Sequence, residues 1–337
     1  MISIVIVGYN SKKYLPDCLF SIFKSKYNKF RVIFVDNHSS DNSSEYVKKV
    51  FKEVVVIESE KNLGFASGNN LGIKKALELK SDYIFLLNPD TVIDEDCLSS
   101  LIKNANDRTI LQPLILLFKN GKKTNIVNTA GGYLNFLGFS YCGGYKNPSS
   151  NFQSTQEIIV ASGAGVFIPN KVFKEIGGFD ELFFMYHEDV DLFWRARLAG
   201  YKIMLLPSAK MWHKYEFSRN KKKFFYSERN RLLFLFKNFS IKMILVVLPA
   251  LIISDILMIL FSIKEGWFGY KLRSYFSLIS LFPHVVKERM ITKHKVSYHD
   301  LKLLIDSEIS FSEVKIPALK LYNLFNTYYW STVKKLI

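Results

Sequence analysis

Short apolar runs alternate with helix-like stretches through the first 90 residues, and this alternation constrains the fold more than any other feature. The apolar runs cover residues 2–7, 30–36, 54–58 and 83–87. Helical patterns follow at residues 14–25, 45–51 and 66–79. Because each run is apolar throughout, we expect parallel strands covered by helices on both faces of the sheet. The predicted fold class is α/β with a mostly parallel central sheet.

Polar residues follow the predicted strands, at the edge of the sheet where α/β proteins bind their ligands. They are Tyr9, Asn10, Asp36, Asn37, Asn62, Asn88 and Asp90. Beyond this half, residues 110–156 show an irregular pattern with turn glycines. A strand at 158–168, a helix at 170–176 and a strand at 202–206 are predicted next.

The segment FFMYHEDVDLFWRARLAG, residues 183–200, places Glu188, Asp189 and Asp191 between an aromatic run and an apolar helix. Acidic side chains at the start of a helix offset the positive end of its dipole. Asp191 and Arg195 are four residues apart, so they can pair on one face. Asp189 lies about 200° around the helix from Asp191 and is not explained by that pair. The segment alone leaves structural and functional roles open.

The composition indicates a folded protein with anionic partners. The 337 residues are 49% hydrophobic and carry a formal net charge of +16, which is typical of proteins that bind nucleic acid, phosphorylated molecules or acidic membranes. No nucleic-acid-reading module is recognisable, so we expect no nucleic acid partner. Three cysteines without metal spacing fit a reducing compartment. The N-terminal residues lack the features of a signal peptide, so we expect the chain to begin inside its fold.

Five stretches resemble the family 2 glycosyltransferases, which are inverting, nucleotide-sugar-dependent enzymes with a Rossmann-like GT-A fold. They are SIVIVGYNSKKYLPDCLFSI (3–22), VDNHSSDNS (35–43), NLGFASGNN (62–70), LLNPDT (86–91) and SGAGVFIPNKVFKEIGGFDELFFMYHEDVDLFWRARLAGY (162–201). The resemblance is greatest to the branch that contains rhamnosyl- and galactofuranosyltransferases. It predicts a glycosyltransferase domain over 1–236, with a nucleotide-sugar-binding half (1–109) and an acceptor and catalytic half (110–236), followed by a helical, membrane-associated region (237–337).

The resemblance implies which residues bind the nucleotide sugar. Asp36, beside Tyr9 and Asn10, is expected to contact the base. The remaining residues of the expected binding site are Asn62, Gly64, Asn69, Asn88 and Asp90. The start of a helix near Gly64 offers backbone amides to a phosphate or ribose. Two structural alternatives stay open: the 35–43 stretch is a helix-capping loop in which Asp41 caps, and Gly64 and Gly68 are ordinary turn glycines.

The resemblance also implies a Mg²⁺ or Mn²⁺ cofactor. Such enzymes usually carry Asp-x-Asp where this chain has Asn88-Pro89-Asp90, so only Asp90 brings a negative charge and weaker metal binding is expected. His213, in MWHK, stands where the resembling branch has a further metal ligand. The nearby basic residues Lys214, Arg219 and Lys221 to Lys223 add positive charge near the diphosphate, or else form a solvated or membrane-facing surface.

For catalysis, the resemblance implies that Asp189 is the general base and that Glu188 supports it or binds acceptor hydroxyls. The predicted activity is that of a hexosyl- or deoxyhexosyltransferase that adds one sugar to a glycan or lipid-linked acceptor. The Gln-x-x-Arg-Trp signature of processive synthases is absent, which favours single additions. The alternative is a catalytically silent nucleotide-sugar-binding protein at the membrane, as Asn88 indicates.

An apolar run at residues 243–263 contains one charge, Asp255, and one proline, Pro249, and basic residues flank it on both sides. Its length is sufficient for a membrane span, but basic flanks tend to stay on the cytoplasmic side. The sequence therefore favours peripheral or re-entrant association with the cytoplasmic face of the cell membrane. A true span and a soluble helical pair are the alternatives.

Overall fold

The computed structural model describes residues 1–215, 221–291, 295–310 and 319–337. The chain forms two compact units. The first contains Met1–Gly132, Cys142–Met185 and Tyr201–Phe217, and the second contains Tyr133–Tyr141, Tyr186–Gly200 and Ser218–Ile337. The division predicted at residue 236 rests on the extent of the family resemblance, differs from these units and stays a prediction.

The strands of the first unit form one central sheet. They are β1 (Ile2–Gly8), β2 (Phe30–Asp36), β3 (Val55–Glu58), β4 (Tyr83–Leu87), β5 (Thr91–Ile93), β6 (Thr109–Lys119), β7 (Lys122–Thr129), β10 (Gln156–Glu157), β11 (Gly165–Pro169) and β12 (Lys202–His213). The order is β10-β12-β6-β11-β4-β1-β2-β3, with β5 paired to β12 and β7 to β6. Two short strands, β8 (Gly132–Leu134) and β9 (Ser140–Cys142), pair separately.

Helices cover the sheet, as the apolar strands require. The helices of the first unit are α1 (Leu15–Phe23), α2 (Ser43–Val50), α3 (Gly64–Glu78), α4 (Cys97–Lys103) and α5 (Asn170–Ile176). Strands β3, β2, β1 and β4 are parallel, and β6 and β12 are also parallel to each other. Strand β11 runs antiparallel between β4 and β6. The predicted α/β fold with a mostly parallel central sheet and a C-terminal helical region is confirmed.

Two parts of the sheet differ from the sequence prediction. Residues 109–129, expected to be irregular, form the long hairpin β6–β7. Pro113 hides this strand in the sequence, because a proline cannot donate a hydrogen bond to a β-ladder. In the structure Pro113 pairs with Leu206 of β12, and the register of β12 shifts between Leu206 and Lys210. The strand predicted at 158–168 is wrong in its first part. There the Gln112 side chain accepts a hydrogen bond from the Ser162 N–H (2.7 Å), in place of a ladder bond.

The second unit is mainly helical. Its helices are α6 (Glu188–Leu198), α7 (Lys222–Asn238), α8 (Ile241–Lys264), α9 (Phe268–Ile291), α10 (Tyr298–Leu301) and α11 (Leu319–Val333). Trp194 of α6 packs against Phe234 and Phe239, the first by an edge-to-face contact. Helix α8 is continuous through Pro249. In the described part of the chain it is the one helix long and apolar enough to cross a membrane, and 22% of that apolar window is buried.

Candidate active site

The loop after β2 is built around Asp36. This carboxylate is buried, and its two oxygens accept hydrogen bonds from the backbone N–H groups of Ser39 (2.9 Å) and Ser44 (3.1 Å). Asn10, with φ of 50°, accepts from the Ser40 N–H (2.8 Å). Asp36 and Asn10 are thus brought together by one loop, while Tyr9 is 55% exposed beside it. The arrangement holds the loop in place and leaves the Tyr9 ring accessible to a ligand.

Asp41 has the structural role that the sequence allowed. Its Oδ1 accepts a hydrogen bond from the Ser43 N–H (3.1 Å) at the start of α2, and its Oδ2 accepts one from the Lys12 N–H (2.9 Å). The carboxylate therefore joins the start of α2 to the loop that follows β1. Helix α2 begins at Ser43, two residues before the predicted start.

The start of α3 is closed by contacts within the protein. Asn37, buried beside Asp36, accepts a hydrogen bond from the Leu63 N–H (2.8 Å) and donates to the Gly64 carbonyl (2.9 Å). The N–H of Gly64 donates to the Asn62 side chain (2.9 Å). The N–H groups of Phe65 and Ala66 donate to the carbonyl of Phe184. In this structure these amides have partners within the protein, and the expected contact of this helix start with a phosphate or ribose stays a prediction.

Two glycines of α3 are needed for packing. Gly64 has φ of +75°, and a Cβ there would lie 2.5 Å from the ring of Phe184. A Cβ on Gly68 would lie 2.8 Å from Val7 of β1. Gly64 thus fits the structural alternative given for it, whereas Gly68 lies within the helix and not in a turn. Asn69 is buried and donates to the Phe65 carbonyl of its own helix (2.9 Å).

Asp90 and His213 lie together although 123 residues separate them in the chain. Strand β5 pairs antiparallel with the end of β12, which places Thr91 opposite His213. Asp90 Oδ2 lies 3.2 Å from His213 Nε2, and Asn128 Oδ1 lies 2.9 Å from His213 Nδ1. An amide oxygen can only accept, so Nδ1 carries the proton. Nε2 therefore faces the Asp90 carboxylate, and a divalent cation between them would have an imidazole nitrogen and a carboxylate oxygen as ligands.

The second oxygen of Asp90 strengthens this interpretation. Of the carboxylate oxygens buried in the described ranges, Asp90 Oδ1 and Glu188 Oε2 have no hydrogen-bond partner. Among the residues that the structure describes, no group of three or more His, Cys, Asp or Glu side chains is arranged to hold a metal ion. Mg²⁺ is commonly held by one or two protein ligands together with substrate phosphates. Asp90 and His213 fit such a site, with Asn128 orienting the imidazole from behind.

The neighbours of this pair have different roles. The Asn88 side chain makes no hydrogen bond to any residue in the described ranges, while its carbonyl accepts one from Thr91 (2.6 Å). The Lys214 ammonium is paired with Asp17, so its charge is already partly balanced. In the second unit, Lys221 donates to the Gly266 carbonyl (3.1 Å). Arg219 lies outside the described residues.

The three carboxylates of the acidic segment differ in their environments. Asp191 is fully buried and pairs with Arg195 Nε (2.8 Å), as the sequence predicts, and also with Lys237 (2.9 Å) and Asn238. Glu188 is 6% exposed. Asp189 is half-buried and accepts a hydrogen bond from the Val190 N–H (2.8 Å). The expectation that Asp189 lacks a structural partner is therefore wrong, but it is the most accessible of the three.

The backbone before these carboxylates adopts an uncommon conformation. Tyr186 and His187 have φ of 66° and 67°, in the left-handed region that is unfavourable for non-glycine residues, and strained residues of this kind cluster at functional sites. The buried Asn230 of α7 donates to the Tyr186 carbonyl (2.7 Å), and His187 Nε2 donates to the Gly138 carbonyl (3.0 Å). Burial lowers the pKa of His187 to about 4. The neutral imidazole and Asn230 therefore hold the turn that opens α6.

Glu188 ionises less readily than an exposed glutamate. Burial raises its pKa well above the usual value, and the adjacent charge of Asp189 raises it further. A protonated Glu188 is a hydrogen-bond donor, and its Oε2 is one of the buried atoms without a partner. Glu188 is thus buried with a raised pKa, whereas the adjacent Asp189 is more accessible. Pairs of carboxyl groups in different environments are typical of sites in which one acts as an acid and the other as a base.

Asp191 is expected to make the second unit acid-sensitive. Burial opposes its ionisation, but Lys237 and Arg195 hold its pKa at about 2. Because the folded pKa lies below the unfolded value of about 4, this stabilisation is present above pH 4 and is lost as the pH falls through about 2. Thermal unfolding measured between pH 5 and 2 should show the loss.

The Asp191→Asn variant tests this expectation. The substitution leaves Lys237 and Arg195 without their counter-charge. At neutral pH it should therefore lower the free energy of unfolding by about 3–5 kcal/mol. It should also reduce the dependence of stability on pH below 4. An unchanged acid dependence in this variant would show that Asp191 is not responsible.

Comparison with known proteins identifies the family. A family model described as glycosyl transferase family 2 matches residues 3–176, just over half of the 337-residue chain. The chain belongs to this family. The predicted family is confirmed, whereas the rhamnosyl- and galactofuranosyltransferase branch stays a prediction. The family match includes the Asp36 loop, the start of α3 and Asp90, and it ends before the acidic segment.

Two curated relatives are named as enzymes of glycan synthesis. The low-salt glycan biosynthesis hexosyltransferase Agl10 of Haloferax volcanii is 30% identical over 205 residues, which are 60% of this chain and 63% of the relative. The poly-β-1,6-N-acetyl-D-glucosamine synthase of Staphylococcus aureus is 25% identical over 213 residues, 63% of this chain and 49% of the synthase. The matches thus span between about half and just under two thirds of each relative.

Solved structures share the fold at low sequence identity. GalNAc-T7, solved with UDP, GalNAc and Mn²⁺, superposes with a TM-score of 0.56 and 17% identity over 70% of this chain and 47% of its own. TarS residues 1–349 of S. aureus, solved with UDP-GlcNAc, superposes with a TM-score of 0.51 and 17% sequence identity. The match covers 99% of this chain and 90% of the TarS chain. These likenesses support the fold of this family 2 member.

Two residues of the site were not found from the sequence, and a third was named without its role. Asn37 was expected at the edge of the sheet after Asp36, but its bonds to Leu63 and Gly64 at the start of α3 were not expected. Asn128 is the last residue but one of β7, a strand that the sequence did not reveal. Asn230 lies in a basic stretch of α7 that the sequence associated with the membrane. All three are amide side chains that orient other groups.

Proposed function

We propose that the protein is an inverting glycosyltransferase that moves one hexosyl or deoxyhexosyl group from a nucleotide-diphosphate sugar to a hydroxyl of a glycan or lipid-linked acceptor. The observation that carries this proposal is the pair of unpartnered buried carboxylate oxygens, on Asp90 and Glu188, in a family 2 chain. Buried carboxylate oxygens normally have partners. Each is proposed to receive its missing partner from a ligand, Asp90 from a metal ion and Glu188 from an acceptor hydroxyl.

The donor is proposed to bind at the carboxyl edge of the sheet in the first unit. Tyr9, Asn10 and Asp36 would contact the base, with the Asp36 loop fixed by its own backbone bonds. The other proposed contacts are Asn62, Gly64, Asn69, Asn88 and Asp90. Of these, Asn88 offers a side chain that makes no hydrogen bond within the described part of the protein. GalNAc-T7 and TarS were solved with UDP and UDP-GlcNAc, which supports a nucleotide-sugar donor here.

The proposed metal ligands are Asp90 and His213, for Mg²⁺ or Mn²⁺. A divalent cation supplies positive charge that stabilises the departing diphosphate. Asn128 keeps Nδ1 of His213 protonated, so that Nε2 is available as a ligand. Lys214 is paired with Asp17 and so is a weaker source of positive charge for the diphosphate.

Asp189 is proposed to remove the proton from the acceptor hydroxyl. The acceptor oxygen then forms a bond to C1 of the sugar from the face opposite the diphosphate. The bond between C1 and the diphosphate oxygen breaks, and the nucleoside diphosphate leaves with that electron pair. Glu188, when protonated, donates a hydrogen bond to an acceptor hydroxyl. The Tyr186–His187 turn holds both carboxyl groups at the start of α6.

The decisive experiment measures binding and turnover separately. A panel of UDP-, GDP- and dTDP-sugars is tested for binding by thermal shift, with Mg²⁺ or Mn²⁺ present. Donors that bind are then tested for release of nucleoside diphosphate in the presence of glycan acceptors. Binding with turnover supports the proposal. Binding without turnover on any acceptor would favour the catalytically silent binding protein that Asn88 indicates.

Replacing Asn88 with aspartate is expected to strengthen metal binding. The variant adds a second carboxylate close to Asp90, and hard divalent cations prefer charged oxygen ligands. Titration of Mn²⁺ followed by electron paramagnetic resonance should show tighter binding than in the wild type. An unchanged or weaker affinity would place Asn88 away from the metal.

We also propose that the enzyme works at the cytoplasmic face of the cell membrane. The apolar helix α8 and the similarity to relatives in glycan synthesis support this location. A lipid-linked acceptor would be accessible to an enzyme at that surface.

A further inference from the structure

Helix α8 carries apolar side chains on its exposed face as well as its buried face. Its buried face includes Met243, Val247, Ala250 and Leu251. The exposed large apolar residues are Ile241, Leu245, Leu248, Ile252, Ile253, Ile256, Leu257, Leu260 and Ile263. Successive members are one, three or four residues apart, so they form a continuous stripe along the helix. A surface helix of a soluble protein normally has polar residues there.

Helices α9 and α11 show the same feature. The exposed large apolar residues of α9 are Leu272, Phe276, Ile279, Phe282, Val286 and Met290. Those of α11 are Leu321, Leu324, Phe325 and Tyr328. Both helices contact α8 within the second unit. We call the exposed apolar residues of α8, α9 and α11 the apolar face. A surface of this kind is larger than the scattered apolar residues that soluble proteins expose.

Ion pairs join α8 to its neighbours at the border of the exposed stripe, where the Asp255 side chain is 23% exposed. Asp255, the one charge of the apolar run, binds Lys271 of α9 (2.7 Å) and Arg231 of α7 (3.3 Å). Glu228 of α7 binds Arg231 (3.0 Å) and Lys271. Tyr275 of α9 donates to Asp255. Burial opposes ionisation of Glu228, but Arg231 and Lys271 hold its pKa at about 2, so this network is charged.

These ion pairs favour an in-plane arrangement of α8 at a membrane over a membrane-crossing one. A helix that crosses the bilayer alone must leave Asp255 without Lys271 and Arg231, or else take these charged groups into the hydrocarbon. Both are costly, because unpaired charge and buried charge are unfavourable in lipid. A helix that lies in the plane of the interface keeps the network intact and immerses its exposed stripe alone.

We propose that the apolar face docks on an anionic lipid bilayer, with α8 parallel to the membrane surface and not crossing it. This inference deepens the proposed membrane location. Exposed basic residues stand at both ends of α8 and on α9: Lys242, Lys264, Arg273 and Lys287. They complement anionic headgroups. The same positive residues would face each other if a second copy of the chain covered the apolar face, which disfavours a dimer.

The test uses the full-length protein and vesicles of phosphatidylcholine with or without phosphatidylglycerol. Sedimentation should show strong binding to the anionic vesicles, weaker binding to neutral ones, and release by detergent but not by high salt alone. The double variant Ile256→Glu and Phe276→Glu should lower vesicle affinity by at least about 10-fold for each residue. The matched control is Val50→Glu, at a 44% exposed site of the first unit, which should bind like the wild type.

Measurements of turnover, tag accessibility and oligomeric state distinguish a failure of this inference from a failure of the proposed function. Turnover with a short soluble acceptor should be similar in the wild type and the double variant, so loss of vesicle binding alone tests the docking surface. Protease should reach tags at both ends of vesicle-bound protein. A C-terminal tag protected inside the vesicles would overturn the in-plane arrangement. A dimer that the double variant converts to a monomer, without vesicle binding by either protein, would overturn lipid docking.

Discussion

Replacing Asp189 with asparagine is expected to lower the rate of sugar transfer by about 10²–10⁴-fold, the usual contribution of a general base. The substitution keeps the shape of the side chain but removes its ability to take a proton. Donor affinity should change little, because the proposed donor contacts lie in the first unit. Steady-state kinetics and donor titration on the purified variant measure the two effects separately.

The control for this variant is Asp107→Asn. Asp107 is an exposed carboxylate that pairs with Lys171 on the surface of the first unit, so the same chemical change there should leave turnover intact. Thermal unfolding should confirm that both variants are folded. Turnover of Asp189→Asn within a few-fold of the wild type would remove Asp189 from the role of base.

Replacing Asp90 with asparagine is expected to weaken Mn²⁺ binding strongly and to reduce metal-supported turnover by about 100-fold or more, since a metal on the leaving group supplies several kcal/mol. The variant also removes the carboxylate that faces His213. Electron paramagnetic resonance of Mn²⁺ measures the loss of binding without relying on activity.

His213→Ala and Asn128→Ala extend this experiment. His213→Ala should weaken Mn²⁺ binding as a lost ligand does, while Asn128→Ala should weaken it by about 10–100-fold, as expected for a residue that orients a ligand. Asp107→Asn again serves as the control. Full turnover of the wild type in excess EDTA would contradict the metal-dependent proposal.

The sequence predicted the strands and helices whose apolar pattern is regular. Strands β2 and β4 and helix α5 begin and end where the pattern places them. Strand β6 was missed because Gln112 and Pro113 interrupt its apolar run. In the structure a register shift in β12 accompanies Pro113, and the Gln112 side chain accepts a hydrogen bond from the Ser162 N–H. Such compensation comes from parts of the chain that are distant in sequence.

The predicted site follows the same division. Asp90 and His213, both named from the sequence, lie together because β5 pairs with β12. The pairing of Asp191 with Arg195 was predictable because residues four apart on a helix share a face. The contributions of Lys237 and Asn238 were not, because they depend on how α7 packs against α6.

One turn of α7 contacts both the residues before the acidic segment and the helices that follow α7 in the chain. Asn230 holds the Tyr186 carbonyl before the acidic segment, while Glu228 and Arg231, on the same turn, pair with α8 and α9. The ribosome delivers Glu188 and Asp189 well before these helices, and domains fold as units during synthesis. The turn before the proposed catalytic residues is therefore expected to form only after helices α8 and α9 have emerged. Under the proposed docking, activity would then arise only in chains that already carry their membrane-binding helices, and sugar transfer away from that surface would be limited.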